Sequence, residues 1–145
     1  MAAYVKFQDF TEQLVRGVHD WDAHTFKIAL TNVAPVATQV SLDTVTNHAA
    51  PAAANGYTAG GTATTIAISE TTGTTTVTGT QVVFTATAGG IGPFRYAILY
   101  NDTATSPADA LIAYWDYASS ITLADTETFT VKFNNTTPGT IFTLV

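Results

Sequence analysis

The sequence predicts an antiparallel β-sandwich of jelly-roll type carrying one N-terminal amphipathic helix. Three observations carry that expectation. Helical spacing of apolar residues occurs only near the start, and the rest breaks into short segments bounded by turn residues roughly every eight to twelve positions. Threonine, which suits a pleated strand, makes up about a fifth of the chain. No helix-length segments alternate with the strands, as the crossovers of a parallel sheet would require. With 145 residues, a single domain over 1–145 is expected, large enough to bury about two-thirds of its unfolded surface without a metal or disulfide staple.

The helical region lies within residues 4–20. Phe7, Phe10, Leu14, Val18 and Trp21 recur at spacings of three and four, while Lys6, Gln8, Asp9, Glu12, Gln13 and Arg16 take the other faces. Gly17 begins its end, and Asp20 and Asp22 suit an exit loop. Such an aromatic stripe normally packs on the domain's own sheet. Residues 26–31 alternate weakly and then meet Asn32, a turn residue. Residues 40–45 read as a shorter, poorer strand, and 48–61 as a long loop with a short strand near Tyr57. Two Thr-rich strands, 63–69 and 75–85, join through Glu70-Thr71-Thr72-Gly73 as an edge hairpin. Strands at 94–100, 111–115, 129–133 and 141–145 complete the set. In the first of these, Phe94, Tyr96, Ile98 and Tyr100 share one face, with Arg95, Ala97 and Leu99 on the other.

Charge is scarce. Only 11% of residues are charged, against roughly 25% in an ordinary soluble domain. A small domain keeps itself soluble and separate with mixed surface charge, so a chain that replaces it with Thr, Ala, Ser and Asn is expected to work against other proteins. The net charge of −6 and the scattered placement of Lys6, Arg16, Lys27, Arg95 and Lys132 disfavour nucleic acid and a basic membrane-binding face. Despite a mean hydropathy of +0.20, no stretch approaches the roughly 18 apolar residues of a spanning helix. Residues 1–6 lack the basic stretch and apolar core of a secretory signal. The chain has no cysteine, so disulfides and thiolate metal sites are excluded and synthesis in a cytoplasm is expected.

His19, Asp20, Asp22 and His24 have metal-ligand side chains, but they sit in a helix exit where such residues serve turns, so a solvated turn and no metal is the reading. Neither a cofactor nor a catalytic residue is expected. No Gly-x-Ser-x-Gly elbow occurs. Ser41, Ser69, Ser106, Ser119 and Ser120 occupy turn-like contexts, and His48 lies in the long loop five residues after Asp43. Asp116, Asp125 and Glu127 could supply a glycosidase pair, yet each sits at a strand end or bend. Gly89-Gly90-Ile91-Gly92-Pro93 precedes a strand, so it lacks the helix N-terminus of a phosphate cradle and reads as a turn. Tyr57, Tyr96, Tyr100, Tyr114, Trp115 and Tyr117 fit a core or subunit interface better than a sugar platform. A deep pocket holding two acids or a His–acid pair would revive a hydrolase.

Several strings are similar to a known family: Asn55-Gly56-Tyr57-Thr58-Ala59-Gly60-Gly61, Ile91-Gly92-Pro93-Phe94-Arg95-Tyr96, Leu99-Tyr100-Asn101-Asp102-Thr103, and Trp115-Asp116-Tyr117 followed by Ser120-Ile121-Thr122-Leu123. With Lys6-Phe7-Gln8-Asp9-Phe10 and Ala29-Leu30-Thr31-Asn32 they extend over nearly the whole chain. They resemble small structural proteins of tailed bacteriophages, labelled either head decoration (cement) proteins or tail fibre proteins. The resemblance implies a non-enzymatic virion protein on the capsid surface, made in the host bacterial cytoplasm, with the major capsid protein and itself as partners. It implies a homotrimer, and the low charge predicts that the free chain associates as one, with apolar and Thr-rich surface at its centre. The alternative is a tail-fibre or tail-tip module binding a host surface polysaccharide, which an exposed row of aromatics would favour.

Overall fold

The computed structural model describes residues 4–46, 51–134 and 136–145. In chain order the elements are β1 (Tyr4–Lys6), α1 (Asp9–Val15), β2 (Phe26–Thr31), α2 (Asp43–Thr46), β3 (Thr62–Thr64), β4 (Ile66–Thr71), β5 (Thr74–Gly79) and β6 (Val82–Thr85). They continue with β7 (Ile91–Thr105), β8 (Ala108–Leu123), β9 (Thr128–Val131) and β10 (Gly139–Leu144). Three sheets result, ordered β1-β8-β7-β2-β3, β10-β5-β4 and β6-β9, with every described pairing antiparallel.

The five-stranded sheet faces the two smaller ones across the main core. Phe26, Ile28, Leu99 and Trp115 on one side meet Val77, Phe84, Val131 and Ile141 on the other. This is the β-sandwich that the sequence predicts, although a jelly-roll winding does not follow from these sheet orders. The second face of the large sheet is covered as well, because Ala29, Ile98, Tyr100 and Leu111 pack beneath Phe7, Leu42 and Val45. A strand buried on both faces has no polar side to alternate with. Hence Ile28, Ala29 and Leu30 are all fully buried, and hence the weak alternation of β2 in the sequence.

Four expectations need correction. Residues 4–20 are not one helical region: Tyr4–Lys6 is an edge strand paired with Trp115, Tyr114 and Ala113, and only Asp9–Val15 is α-helical. The aromatic stripe is split accordingly, Phe7 entering the second core and Phe10 the main one. Residues 40–45 do not form a strand. Ser41 makes one isolated bridge to Ala110, and α2 begins at Asp43, setting Leu42 and Val45 together in the second core. The two Thr-rich strands are four, because breaks at Thr65 and Thr80–Gln81 separate β3 from β4 and β5 from β6.

The face assignment of β7 changes too. Phe94 pairs with Ile121 and Tyr96 with Asp116, so residues 117–120 of β8 oppose the single Arg95. An irregularity of this kind resets which side chains face which way. Phe94 therefore joins Ala97 and Leu99 in the main core, while Ile98 and Tyr100 enter the second.

Candidate functional site

The His19–His24 segment joins the helix exit to β7 through a polar cluster of which His19 and Asn101 are buried. Asn101, fully buried, is its centre. Asn101 Oδ1 accepts the backbone N–H groups of Thr103 (3.1 Å) and Ala104 (3.2 Å), which fixes the orientation of its amide. The Nδ2 group then donates toward Val18 O (3.2 Å), His19 Nδ1 (3.3 Å) and His24 Nδ1 (3.0 Å). The amide has two N–H groups for these three neighbours, so Val18 O and the two imidazoles share them. Asp20 and Asp22 are exposed, and Asp20 Oδ1 caps the turn by accepting the N–H groups of Asp22 and Ala23 (3.1 Å each).

The expected solvated turn is therefore wrong for His19, which is only 5% exposed and lies against the rings of Phe10 (5.4 Å) and Trp21 (5.8 Å). Its Nε2 is buried without a hydrogen-bond partner among the described residues. Among those residues no three His, Asp or Glu side chains are placed to hold a metal.

Burial, and secondarily the neighbouring His24, lowers the His19 pKa to about 4. The fold thus prefers neutral His19, and its contribution is complete above the ordinary pKa of about 6.5 and lost as pH falls through about 4. We expect roughly 2–3 kcal/mol less stability at pH 4 than at pH 7 from this residue. Urea unfolding of the wild-type chain and His19→Phe at both pH values checks this, since the variant should remove that part of the acid loss. Asp116 does not share the window, because the Arg95 guanidinium beside it holds its carboxyl down at about 2. Asp109, whose carboxyl is raised chiefly by burial, works in the opposite sense and is common to both chains.

The remaining acids hold backbone in place. Arg95 grips Asp116 through two bonds, Nε to Oδ1 (2.7 Å) and Nη2 to Oδ2 (2.8 Å), and Asp116 Oδ1 also accepts the Ala118 N–H (2.7 Å). Together they pin the 117–120 bulge, whose Ser120 hydroxyl donates to Asn32 Oδ1 (2.8 Å). Asp125 Oδ1 accepts the Ala88 N–H (2.8 Å) and Glu127 Oε2 the Ala124 N–H (2.7 Å). Among the serines, Ser69 lies on β4, Ser106 in the β7–β8 turn, and Ser119 and Ser120 in the bulge. Asp43 is exposed at the start of α2. His48 lies outside the described residues. The Gly89–Pro93 string is a turn through Gly90 that runs into β7 at Ile91.

The aromatics are mostly structural. Tyr57, Tyr96, Tyr100 and Trp115 are buried, and Tyr114 is half-buried. β3 pairs only with Phe26, Lys27 and Ile28, so the Leu30 amide beyond it donates instead to the Tyr57 hydroxyl (3.0 Å). The Tyr100 hydroxyl donates to Gly60 O (2.7 Å), and burial raises its pKa. The 55–61 string is thus a loop laid along β2 and stitched down by two tyrosines. Tyr117 stands apart, 52% exposed, edge-on to Phe129 at 5.6 Å. It borders an open depression of about 470 Å³ with Ile121, Thr122, Thr126 and Glu127.

The larger candidate is a surface rather than a pocket. Across the β10-β5-β4 sheet, Val77 pairs with Ile68 and Phe142, and Val77 belongs to the core. The alternate set consequently points outward: Ala67 opposite Thr78, Ser69 opposite Thr76, and Thr140 and Thr143 alongside. This outer face carries small side chains and hydroxyls, with no charged residue. Sequence reasoning identified the Thr-rich hairpin but not that its hydroxyls form one face across three strands. Compared with protein-family models, curated proteins and solved structures, the chain matches none.

Proposed function

We propose that this chain is a tailed-bacteriophage virion protein of the capsid-decorating (cement) kind, binding the outside of the assembled head and stabilising it by contact. The observation that carries the reading is the uncharged Thr and Ser face of the β10-β5-β4 sheet. Such a face can lie against another protein without stripping water from charges, the costly part of burying polar surface. Its partners in this reading are the major capsid protein and further copies of itself, a homotrimer around threefold positions being the expected form. Individually weak contacts repeated over a shell gain strength by multivalency. The tail-module reading calls for a row of exposed aromatics, and among Tyr57, Tyr96, Tyr100, Tyr114, Trp115 and Tyr117 only Tyr117 is mostly exposed.

Expanded heads lacking the protein should bind the purified chain up to a copy number set by lattice symmetry. The decorated heads should withstand higher temperature, because a ligand that binds only the assembled state favours that state. Heads that neither bind the chain nor gain thermal stability would overturn the proposal, and polysaccharide binding would then be the assay to run.

A further inference from the structure

Residues 18–24 are tied to the sandwich by one side chain. Thr25, just beyond the segment, is fastened to β7 by two bonds, accepting the Asp102 N–H and donating to Thr103 Oγ1 (2.9 Å each). Ahead of it, among the described residues, every hydrogen bond between 18–24 and a strand comes from the Asn101 amide, which reaches Val18 O, His19 Nδ1 and His24 Nδ1. The segment's other bonds are local, Val18 N–H to Gln13 O (3.0 Å) and His24 N–H to Asp20 O (2.9 Å) among them. Only His19 within it is buried. Gly17 precedes it with φ +74°, and an added Cβ there would meet nothing within 4 Å, so the chain can turn at this point without collision.

Protonation of the histidines reverses what Asn101 can do for them. An imidazolium carries N–H groups on both ring nitrogens, so its Nδ1 turns a donor toward the amide's own donors. At His24 it also faces the Asp20 N–H, 3.4 Å away. The amide cannot flip in response, because the Thr103 and Ala104 N–H groups hold its Oδ1. None of the charged groups on the neighbouring elements hydrogen-bonds either ring. On α1, Asp9 accepts from Gln13 and Glu12 pairs with Arg16. Lys27 of β2 pairs with Asp102 of β7, Asp20 caps its own turn, and Asp22 is exposed. β10 brings Phe142 and no charged residue. We propose that residues 18–24 form an acid-released flap, which swings away from β2 and β7 about Gly17 once His19 and His24 are protonated, while the sandwich beneath stays folded. Opening gives up the shared Asn101 bonds and the packing of His19 and Trp21 against Phe10, Phe26 and Phe142. It breaks no strand pairing, so it is a local event. The closed state resists the proton on His19, whose pKa burial and His24 hold at about 4, against about 6.5 for a free imidazole. Acidification from pH 7 to pH 4 therefore raises the opening equilibrium roughly a hundredfold.

The test uses the full chain, grown with fluorotryptophan at both of its tryptophans. Fluorine NMR then reads the flap at Trp21 and the sandwich at Trp115, which packs on Phe133 in the main core. As pH falls from 7 to 4, the Trp21 signal should move toward that of the free amino acid while the Trp115 signal keeps its folded position. His19→Phe keeps an aromatic ring in place and should lower the acid response of Trp21 at least tenfold. Trp21 and Trp115 changing together, a Trp21 signal indifferent to acid, or an undiminished response in His19→Phe would each overturn the inference. The two signals of the wild-type chain decide it even where the variant fails to fold, and neither depends on whether the chain binds heads.

Discussion

Gly61→Ala is expected to cost about 3 kcal/mol or more, enough to threaten folding of a domain with ordinary stability. Two separate penalties coincide at this glycine. Its φ is +81°, a conformation that L side chains rarely adopt, and an added Cβ would stand 1.8 Å from Ile28 O and 2.8 Å from Ala29 Cα. Both obstacles are backbone atoms of β2, a strand of the doubly buried sheet, so neither can swing aside. Gly73→Ala is the control. There φ is +84° but nothing lies within 4 Å, so only the conformational part, about 1 kcal/mol, should be lost. Urea unfolding of the two variants separates the terms. Equal losses would mean that the 55–61 loop does not press on β2 as described.

Asn101→Ala is the second large effect, also expected at about 3 kcal/mol or more. The substitution removes the acceptor for two backbone amides, Thr103 and the buried Ala104, and the donor that faces Val18 O, His19 Nδ1 and His24 Nδ1. A buried group left unsatisfied costs roughly 1–3 kcal/mol. Asn101→Asp separates the two halves, since a carboxylate still accepts both amides but can no longer donate. It should also draw a proton onto the His19 imidazole and raise its pKa from about 4, which NMR titration of the ring protons would read. Unchanged titration in that variant would show that Asn101 does not face the histidines.

How much of this was legible in the sequence varied with how local each cause is. β2 is legible residue for residue, because Asn32 closes a segment in which Phe26, Ile28, Ala29 and Leu30 are apolar. The hairpin is legible as a connection through Glu70-Thr71-Thr72-Gly73, and the structure narrows it to Thr72 and Gly73, with φ of 49° and 84°. The face switch in β7 was not legible. It arises from four residues of β8 opposing Arg95, and strand partners some twenty positions apart leave no mark on either strand alone. Residues 40–45 misled because Val40, Leu42 and Val45 suit a strand by composition, whereas the second core selects Leu42 and Val45 three apart on a helical turn. His19 looked like turn chemistry because its burial depends on Phe10, Trp21 and Phe26 closing around it. The Thr face was half visible, with composition announcing hydroxyls and only the register with β10 aligning them.

A sheet covered on both sides has a consequence for how the backbone exchanges its protons with solvent. The amides of residues 97–100 and 111–113 lie between two cores, so in heavy water they should exchange only when the whole molecule opens. The overhanging end of the β4–β5 hairpin, exposed on both sides along β4, should exchange by local fraying at far lower cost. The chain therefore has a slow centre and a fast rim. The exchange rates at the centre would report its global stability without any denaturant.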